Sequence, residues 1–405
     1  MQDTTGGASA GSGAPAGPTA PADPTRSGRR RPGRLVPVVG TARKMLQDAL
    51  AQAGYPDRIL VACSGGPDSL ALAAVAAYFA RRGHVDGRPV AVGAVVVDHQ
   101  LQAGSAEVAA RTAESLKELG LSPVLVRAVD VAAGGFGPEA AARDARHAAL
   151  EAAAEEWNAG AVLLGHTLDD QAEQVLLGLA RGSGTRSLAG MRPVRGKLLR
   201  PFLGLRRAET LEICRAEELD PWHDPSNADP SFARSRTRAE VMPLLEEKLG
   251  PGVAESLART AAILQQDADY LDDVADSTFA AFAERSGQDI SLPEEALNGL
   301  APAIRFRVIA KAAADVGGQQ PSYQRLQAAE ALLRRKGSAG PVELPGNVSV
   351  YRLSLAQLEA EAREGAEAGD EAGSGTREAS GGAAGPRGGA RCGKLVFRLS
   401  KPTRL

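Results

Sequence analysis

The first residues with chemical potential are Ser64-Gly65-Gly66-Pro67-Asp68-Ser69, a polar turn between the apolar run Arg58–Cys63 and the apolar segment Ser69–Arg81. Glycine lets backbone N–H groups approach phosphate oxygens closely, and a helix that begins there adds the positive potential of its free amides. Ser64 and Ser69 supply hydroxyl donors. Asp68 repels phosphate, so it either caps the following helix or helps hold Mg²⁺. The pattern GxxxxGK[ST] does not occur in the sequence, which argues against a Walker-type site that transfers a γ-phosphoryl group.

Three further constellations follow. Asp98 and His99 stand at the end of a second apolar run, where groups touching nucleotide or metal are expected. Arg143 and Arg146, three apart in EAAARDARH, share a helix face, and a solvated salt-bridged surface is the competing reading for one of them. In Gly165-His166-Thr167-Leu168-Asp169-Asp170-Gln171-Ala172-Glu173-Gln174, helical spacing aligns His166, Asp170 and Glu173 on one face. Such a cluster suits an anionic pocket for an amine better than a metal site, and competes with an ordinary acidic first helical turn. Between Arg181 and Arg207 lie Arg186, Arg192, Arg195, Lys197, Arg200 and Arg206 without one Asp or Glu, and Arg234, Arg236 and Arg238 extend the series. A one-sign stretch in a near-neutral chain reads as a polyphosphate-facing surface, so nucleic acid is the favoured partner.

Elements must position these groups. Short apolar runs (Arg58–Cys63, Val90–Asp98, Pro123–Val129, Ala161–Leu164) alternate with helical patterns at Ser69–Arg81, Ser105–Leu119, Pro138–Trp157 and Leu168–Ala180. That alternation predicts a parallel α/β sheet with ligands at the carboxyl ends of its strands. Helices over Ser235–Leu249 and Gly252–Glu284, a small α/β region at about 291–353 and a returning strand at Lys394–Ser400 complete the expectation. The domain reading is a low-complexity leader (1–44), a catalytic domain (45–250), a helical linker with a small domain (251–355), an acidic Gly/Ala-rich insert (356–392) and a C-terminal strand (393–405).

With 405 residues and 43% hydrophobic content the chain can build two or three domains, and its formal net charge of −2 excludes a uniformly basic coat. Aromatics are 4%, low for a single-strand binder built on stacking platforms. No window approaches the ~20 apolar residues of a membrane helix. Cys63, Cys214 and Cys392 form no CxxC, so neither a disulfide framework nor a cysteine metal site is expected. The N-terminus lacks the apolar core of a secretory signal, and a reducing cytoplasm is the expected compartment.

The strand–SGGPDS–helix unit resembles the PP-loop family of ATP pyrophosphatases. Eight stretches in order are similar to its tRNA(Ile)-lysidine synthetase branch: SGGPDS, VDHQLQ, EAAARDARH, GHTLDDQAEQ, RGSGTRSLAGM, LRPFLGLRR, DPSN (Asp224–Asn227) and the arginine helix ending at Met242-Pro243-Leu244. The resemblance implies a Rossmann-like N-type ATP pyrophosphatase domain, a helical linker and a small α/β C-terminal domain at 291–355. It implies a ligase that adenylates C2 of the wobble cytidine of an isoleucine tRNA with a CAU anticodon, then lets L-lysine displace AMP. Ser64, Gly65, Gly66, Pro67, Asp68, Ser69, Asp98 and His99 would bind ATP, with Asp68 as a Mg²⁺ contact. Arg143, His166, Asp170 and Glu173 would be catalytic, and Arg181, Arg186, Arg192, Arg200, Arg206, Arg207, Arg234 and Arg238 would hold tRNA. An oligomer is compatible with that reading. The sequence departs from the usual pattern at Gln100, Gln102, His147, Gln174 and Ser235. The rival readings are a PP-loop tRNA thiolase, disfavoured by the cysteine count, and a non-catalytic tRNA-binding protein, disfavoured by Ser64, Asp68, Asp170 and Glu173.

Overall fold

The computed structural model describes residues 36–98, 100, 104–129, 138–182, 184–224, 229, 231–360 and 393–400. Helix α1 (Pro37–Gln52) opens with proline, whose missing N–H has no partner to lose in a first turn. Val38, Val39, Ala42, Leu46 and Leu50 make its buried stripe. The leader boundary expected at residue 44 is thereby corrected, because the apolar stripe starts the fold at Pro37.

The first domain then runs β1 (Arg58–Ala62), α2 (Pro67–Arg82), the ribbon β2 (His84–Val85) and β3 (Arg88–Pro89), β4 (Ala91–Asp98), α3 (Ser105–Glu118), β5 (Val124–Ala128), α4 (Pro138–Glu156), β6 (Ala161–Leu164), α5 (Leu168–Ala180), α6 (Thr185–Leu188), β7 (Val194–Arg195), β8 (Leu198–Leu199) and α7 (Arg207–Ala216). The sheet order is β5-β4-β1-β6-β8-β7, parallel except for the β7 edge. β6, and β1 beyond its exposed first residue Arg58, are apolar throughout because both of their faces are covered. Ile59, Val61, Ala94 and Leu163 pack under α1–α3, while Leu60, Val95, Val162 and Leu164 pack against Leu150 and Ala153 of α4. Each Leu, Ile or Val side chain among them contributes about 1.5–3 kcal/mol on burial. The register Ala62↔Leu164 brings the carboxyl ends of β1 and β6 level, so the turns after them are neighbours, while β4 runs past Val95, the partner of Ala62, to Asp98.

The expected single helix over Ser235–Leu249 is instead α8 (Ala233–Arg236), a wide π turn at Thr237–Val241 and α9 (Met242–Leu249). Pro243 cannot donate to the preceding turn, and the widened ladder accommodates it. The 30-residue α10 (Val253–Phe282) links to a second domain. That domain comprises β9 (Glu284–Ser286), β10 (Asp289–Pro293), α11 (Glu294–Gly299), α12 (Pro302–Asp315), α13 (Tyr323–Ala331), β11 (Ala339–Leu344), β12 (Val348–Leu353) and β13 (Lys394–Leu399). Its sheet is wholly antiparallel, β11-β12-β13-β10-β9. The returning strand β13 sits between β12 and β10, with Leu395 and Phe397 fully buried. Residues 355–360 are helical, which moves the start of the expected insert; residues 361–392, like most of the expected leader, lie outside the described residues. Among the described residues no helix is long and apolar enough to cross a membrane.

Candidate active site

The turn after β1 is built to expose amides. Gly65 has φ +81°, and a Cβ there would lie 2.5 Å from Thr112 Oγ1 of α3, so only glycine fits. Ser69 staples the loop: its Oγ accepts from Ser64 N at 3.1 Å and donates to Gly66 O at 3.0 Å. Pro67 opens α2 after Gly66, which makes no side-chain cap. Asp68 is therefore not the cap. Its carboxylate turns away from its own helix to α7, taking Arg207 Nε at 3.2 Å and the Thr210 hydroxyl. Burial raises its pKa, against the lowering pull of Arg207 and Thr210.

The turn after β6 abuts this loop. A Cβ on Gly165 would stand 2.9 Å from the Asp68 carbonyl oxygen. Thr167, not His166, begins the helical geometry: it is the N-cap of α5 and forms a reciprocal capping box with Asp170. His166 accordingly sits in the turn rather than on the helix face with Asp170 and Glu173, a correction to the expected alignment. It still lines the cleft. Burial, reinforced by Arg200, Arg146 and Arg234 and opposed by Asp170, lowers the His166 pKa to about 3, so the ring is neutral near pH 7.

Asp170 uses its two oxygens differently. Oδ2 accepts from Thr167 N at 2.8 Å and Thr167 Oγ1 at 3.0 Å, while Oδ1 accepts from Arg207 Nη2 at 2.9 Å and Arg238 Nη2 at 3.1 Å. Burial opposes its ionisation, but Arg207, the Thr167 amide, His166 and Arg238 together hold its pKa below the ordinary carboxylate value. Glu173, 1% exposed, receives Arg238 Nε at 2.8 Å and Nη2 at 3.0 Å, with Arg207 Nη1 at 3.5 Å and Arg234 Nε at 3.6 Å. Arg207 thus spans Asp68, Asp170 and Glu173, and these carboxylates hold its pKa above normal despite burial.

A cavity of about 260 Å³ has Ser64, Gly66–Ser69, Arg146, His166, Asp170, Arg207 and Arg238 in its walls, with Glu173 buried behind them. Several expected residues stand elsewhere. Arg143 opens onto an adjoining cavity, and its helical neighbour Arg146 lines the cleft in its place. Asp98 accepts from Gln100 N at 3.0 Å, and β4 gives the wall Val95 and Val97 instead; His99 lies outside the described residues. The arginine series is not an open basic face. Arg186 and Arg192 bind Asp269 of α10, Arg186 also reaches Asp272, and Arg206 bridges Asp169 and Glu255. Arg200 is 4% exposed and donates to Arg192 O at 2.8 Å. The acids that neutralise the series are remote in sequence, which is why an acid-free stretch looked unpaired. Arg181 is exposed. Sequence reasoning missed Thr210 altogether; the capping pattern Thr167-x-x-Asp170 was legible but went unused.

Asp68 and Asp170 present hard oxygen donors to one cleft. That set fits Mg²⁺, which takes one or two carboxylates and completes its shell with phosphate and water oxygens. The described residues contain no cluster of three or more His, Cys, Asp or Glu arranged for a metal held by protein alone.

Comparisons with known proteins identify the family. A family model described as the PP-loop domain matches residues 40–245, and one described as the TilS substrate binding domain matches residues 292–358. The tRNA(Ile)-lysidine synthase of Leifsonia xyli is 50% identical over 71% of this chain and 85% of its own length. That of Streptomyces coelicolor is 48% identical over 73% of this chain and 82% of its own. Among solved structures, a U34-tRNA thiolase from Methanococcus maripaludis covers 56% of this chain and 80% of its own at 17% identity and a TM-score of 0.47. By the family models and the curated relatives, the chain belongs to the PP-loop family and, within it, to the tRNA(Ile)-lysidine synthases.

Proposed function

We propose that the protein is an ATP-dependent ligase that joins L-lysine to C2 of the wobble cytidine of an isoleucine tRNA with a CAU anticodon, releasing AMP and pyrophosphate. Membership of this family together with one observation carries the reading: the glycine loop, Asp170, Arg207 and Arg238 line the same cleft, and Glu173 is buried directly behind the two arginines. The loop's amides and the N-terminus of α2 would hold the leaving pyrophosphate. Arg146, on the wall of that cleft, would offset charge on the α-phosphate as the cytidine C2 oxygen attacks it. Arg143, one helical turn back, would act at longer range. Mg²⁺, held by Asp68, would neutralise phosphate charge.

Asp170 and Glu173 would receive the lysine ε-ammonium, replacing contacts that Arg207 and Arg238 now make. An ammonium is not a nucleophile, so its proton must pass to a carboxylate before attack. The nitrogen then bonds to C2, the C2–O bond breaks, and the oxygen leaves on AMP. Thiolation is disfavoured on physical grounds. Cys63 and Cys214 are buried, burial pushes both thiol pKa values up, and that of Cys214 reaches about 12. An enzyme acting on this tRNA would work in the cytoplasm. The test is to digest the RNA product and weigh its nucleosides: a cytidine that has gained lysine minus water supports the reading. An unchanged RNA after full ATP turnover would sink it.

A further inference from the structure

Beside the active-site cleft lies a second cavity of about 560 Å³, between α4 and the β7–β8 hairpin. His147 lines both, so the two chambers adjoin. The floor of the second is apolar, formed by Ala154, Val162 and Leu198, and its rim carries Arg143, Arg195 and Lys197. All three rim cations are exposed, and none has an acid partner among the described residues, unlike Arg186, Arg192, Arg206 and Arg207. Asp144, Glu151 and Glu155 of α4 also line the cavity, so its charge is segregated rather than uniformly positive. Behind the rim, Arg200 is almost completely buried, and its Nε has no hydrogen-bond partner among the described residues. The cations crowd one another: burial first, then Arg143 and Arg195, lower the Arg200 pKa to about 10, and burial with Arg143, Arg146, Arg200 and Arg195 lowers that of His147. Cations crowded together without an ion-pair partner are stabilised when an anion arrives.

We propose that this cavity is the seat of the nucleotide next to the wobble cytidine, with RNA backbone phosphates on Arg195 and Lys197 and the neighbouring base or ribose on the Ala154-Val162-Leu198 floor. The inference rests on the proposed RNA substrate and names where that RNA is gripped. A cytidine whose C2 oxygen must reach the α-phosphate has to leave its stack and enter the first chamber. Its flanking nucleotide then lies one phosphodiester away, within reach of the adjoining cavity that the hairpin borders. Phosphate contacts of this kind fix register and leave base choice to the cleft. Most cations of the arginine series lie in ion pairs within the protein, whereas Arg195 and Lys197 of that series stay exposed on the turn at this cavity, free to meet the backbone.

The test uses the full chain, the CAU isoleucine tRNA transcript, and the double variant R195A/K197A, with R195Q/K197Q as a milder second version and K117A on α3 as a charge-loss control. Binding is measured across a salt series. Losing two phosphate contacts should weaken RNA binding about 10-fold or more and make the slope of log K against log salt shallower by about 1.4. The KM for ATP at saturating RNA should stay at the wild-type value. Unchanged RNA affinity in both double variants would overturn the proposal, as would an equal loss in K117A. A raised KM for ATP with unchanged RNA affinity would overturn it too, assigning the cavity to nucleotide. Failure of the wild-type protein itself to bind this RNA would instead overturn the functional reading on which the inference stands.

Discussion

At the scale of single residues, the cleft is organised by a carboxylate that solvent scarcely reaches. Glu173 meets Arg207, Arg234 and Arg238, and removing it would leave guanidiniums crowded without their counter-charge. Glu173→Ala should therefore destabilise the protein by about 3 kcal/mol in chemical denaturation as well as abolish AMP formation. His166 makes a prediction about pH. Its folded pKa of about 3 lies below the unfolded 6.5, so the unfolded chain binds the proton first as pH falls. The contribution of the neutral ring is complete above pH 6.5 and is lost progressively towards pH 3, at up to ~1.4 kcal/mol per pH unit. The urea midpoint of His166→Asn should fall less steeply than wild type in that window; parallel curves would show that the ring does not titrate in this way. The identities of these residues were legible in the sequence, since SGGPDS and the His166–Gln174 run carry their chemistry in their types and order. Their partners were not. Arg207 lies 139 residues from Asp68 and 37 from Asp170, and spacing along a chain says nothing about a meeting made by the sheet.

At the scale of elements, the site depends on two turns held against each other. Thr167 caps α5 and fixes one oxygen of Asp170, leaving the other for the cleft. Thr167→Ala should cost about 1 kcal/mol of stability and raise the KM for lysine more than that for ATP, because Asp170 loses its orientation. A methyl at residue 165 would press on the backbone of Asp68 and Ser69, at 2.9 and 3.0 Å. Gly165→Ala should displace the phosphate loop, costing about 1–3 kcal/mol and raising the KM for ATP, a result read from steady-state kinetics and thermal unfolding together. The elements themselves were largely legible. β1, β4 and β6 are apolar runs bounded by polar turns, and α2, α3 and α5 follow at the expected distances. What escaped were features set by tertiary context: the π turn at Thr237–Val241, and the start of α1 at Pro37, where arginine-rich composition masked a buried helical stripe.

At the scale of the whole molecule, α10 fastens the two domains. Asp269 takes Arg186 and Arg192 of the first domain, and Asp272 takes Arg186 together with Arg307 of α12, whose Nη2 also reaches Thr185 Oγ1 at 3.1 Å. Each pair is partly exposed and worth at most about 1 kcal/mol, so the network should matter for orientation more than for stability. Asp269→Ala/Asp272→Ala should leave the melting temperature nearly unchanged while increasing the radius of gyration in solution scattering and raising the KM for tRNA. An unaltered scattering curve would show that apolar packing alone sets the arrangement. The most direct test of the account is to follow pyrophosphate and AMP separately in the purified full chain. ATP and the CAU isoleucine tRNA are supplied, with and without lysine. Pyrophosphate should require the RNA, and AMP should require both RNA and lysine, because the nucleotide is first moved onto the cytidine and only then displaced. AMP released from ATP in the absence of RNA would contradict the account.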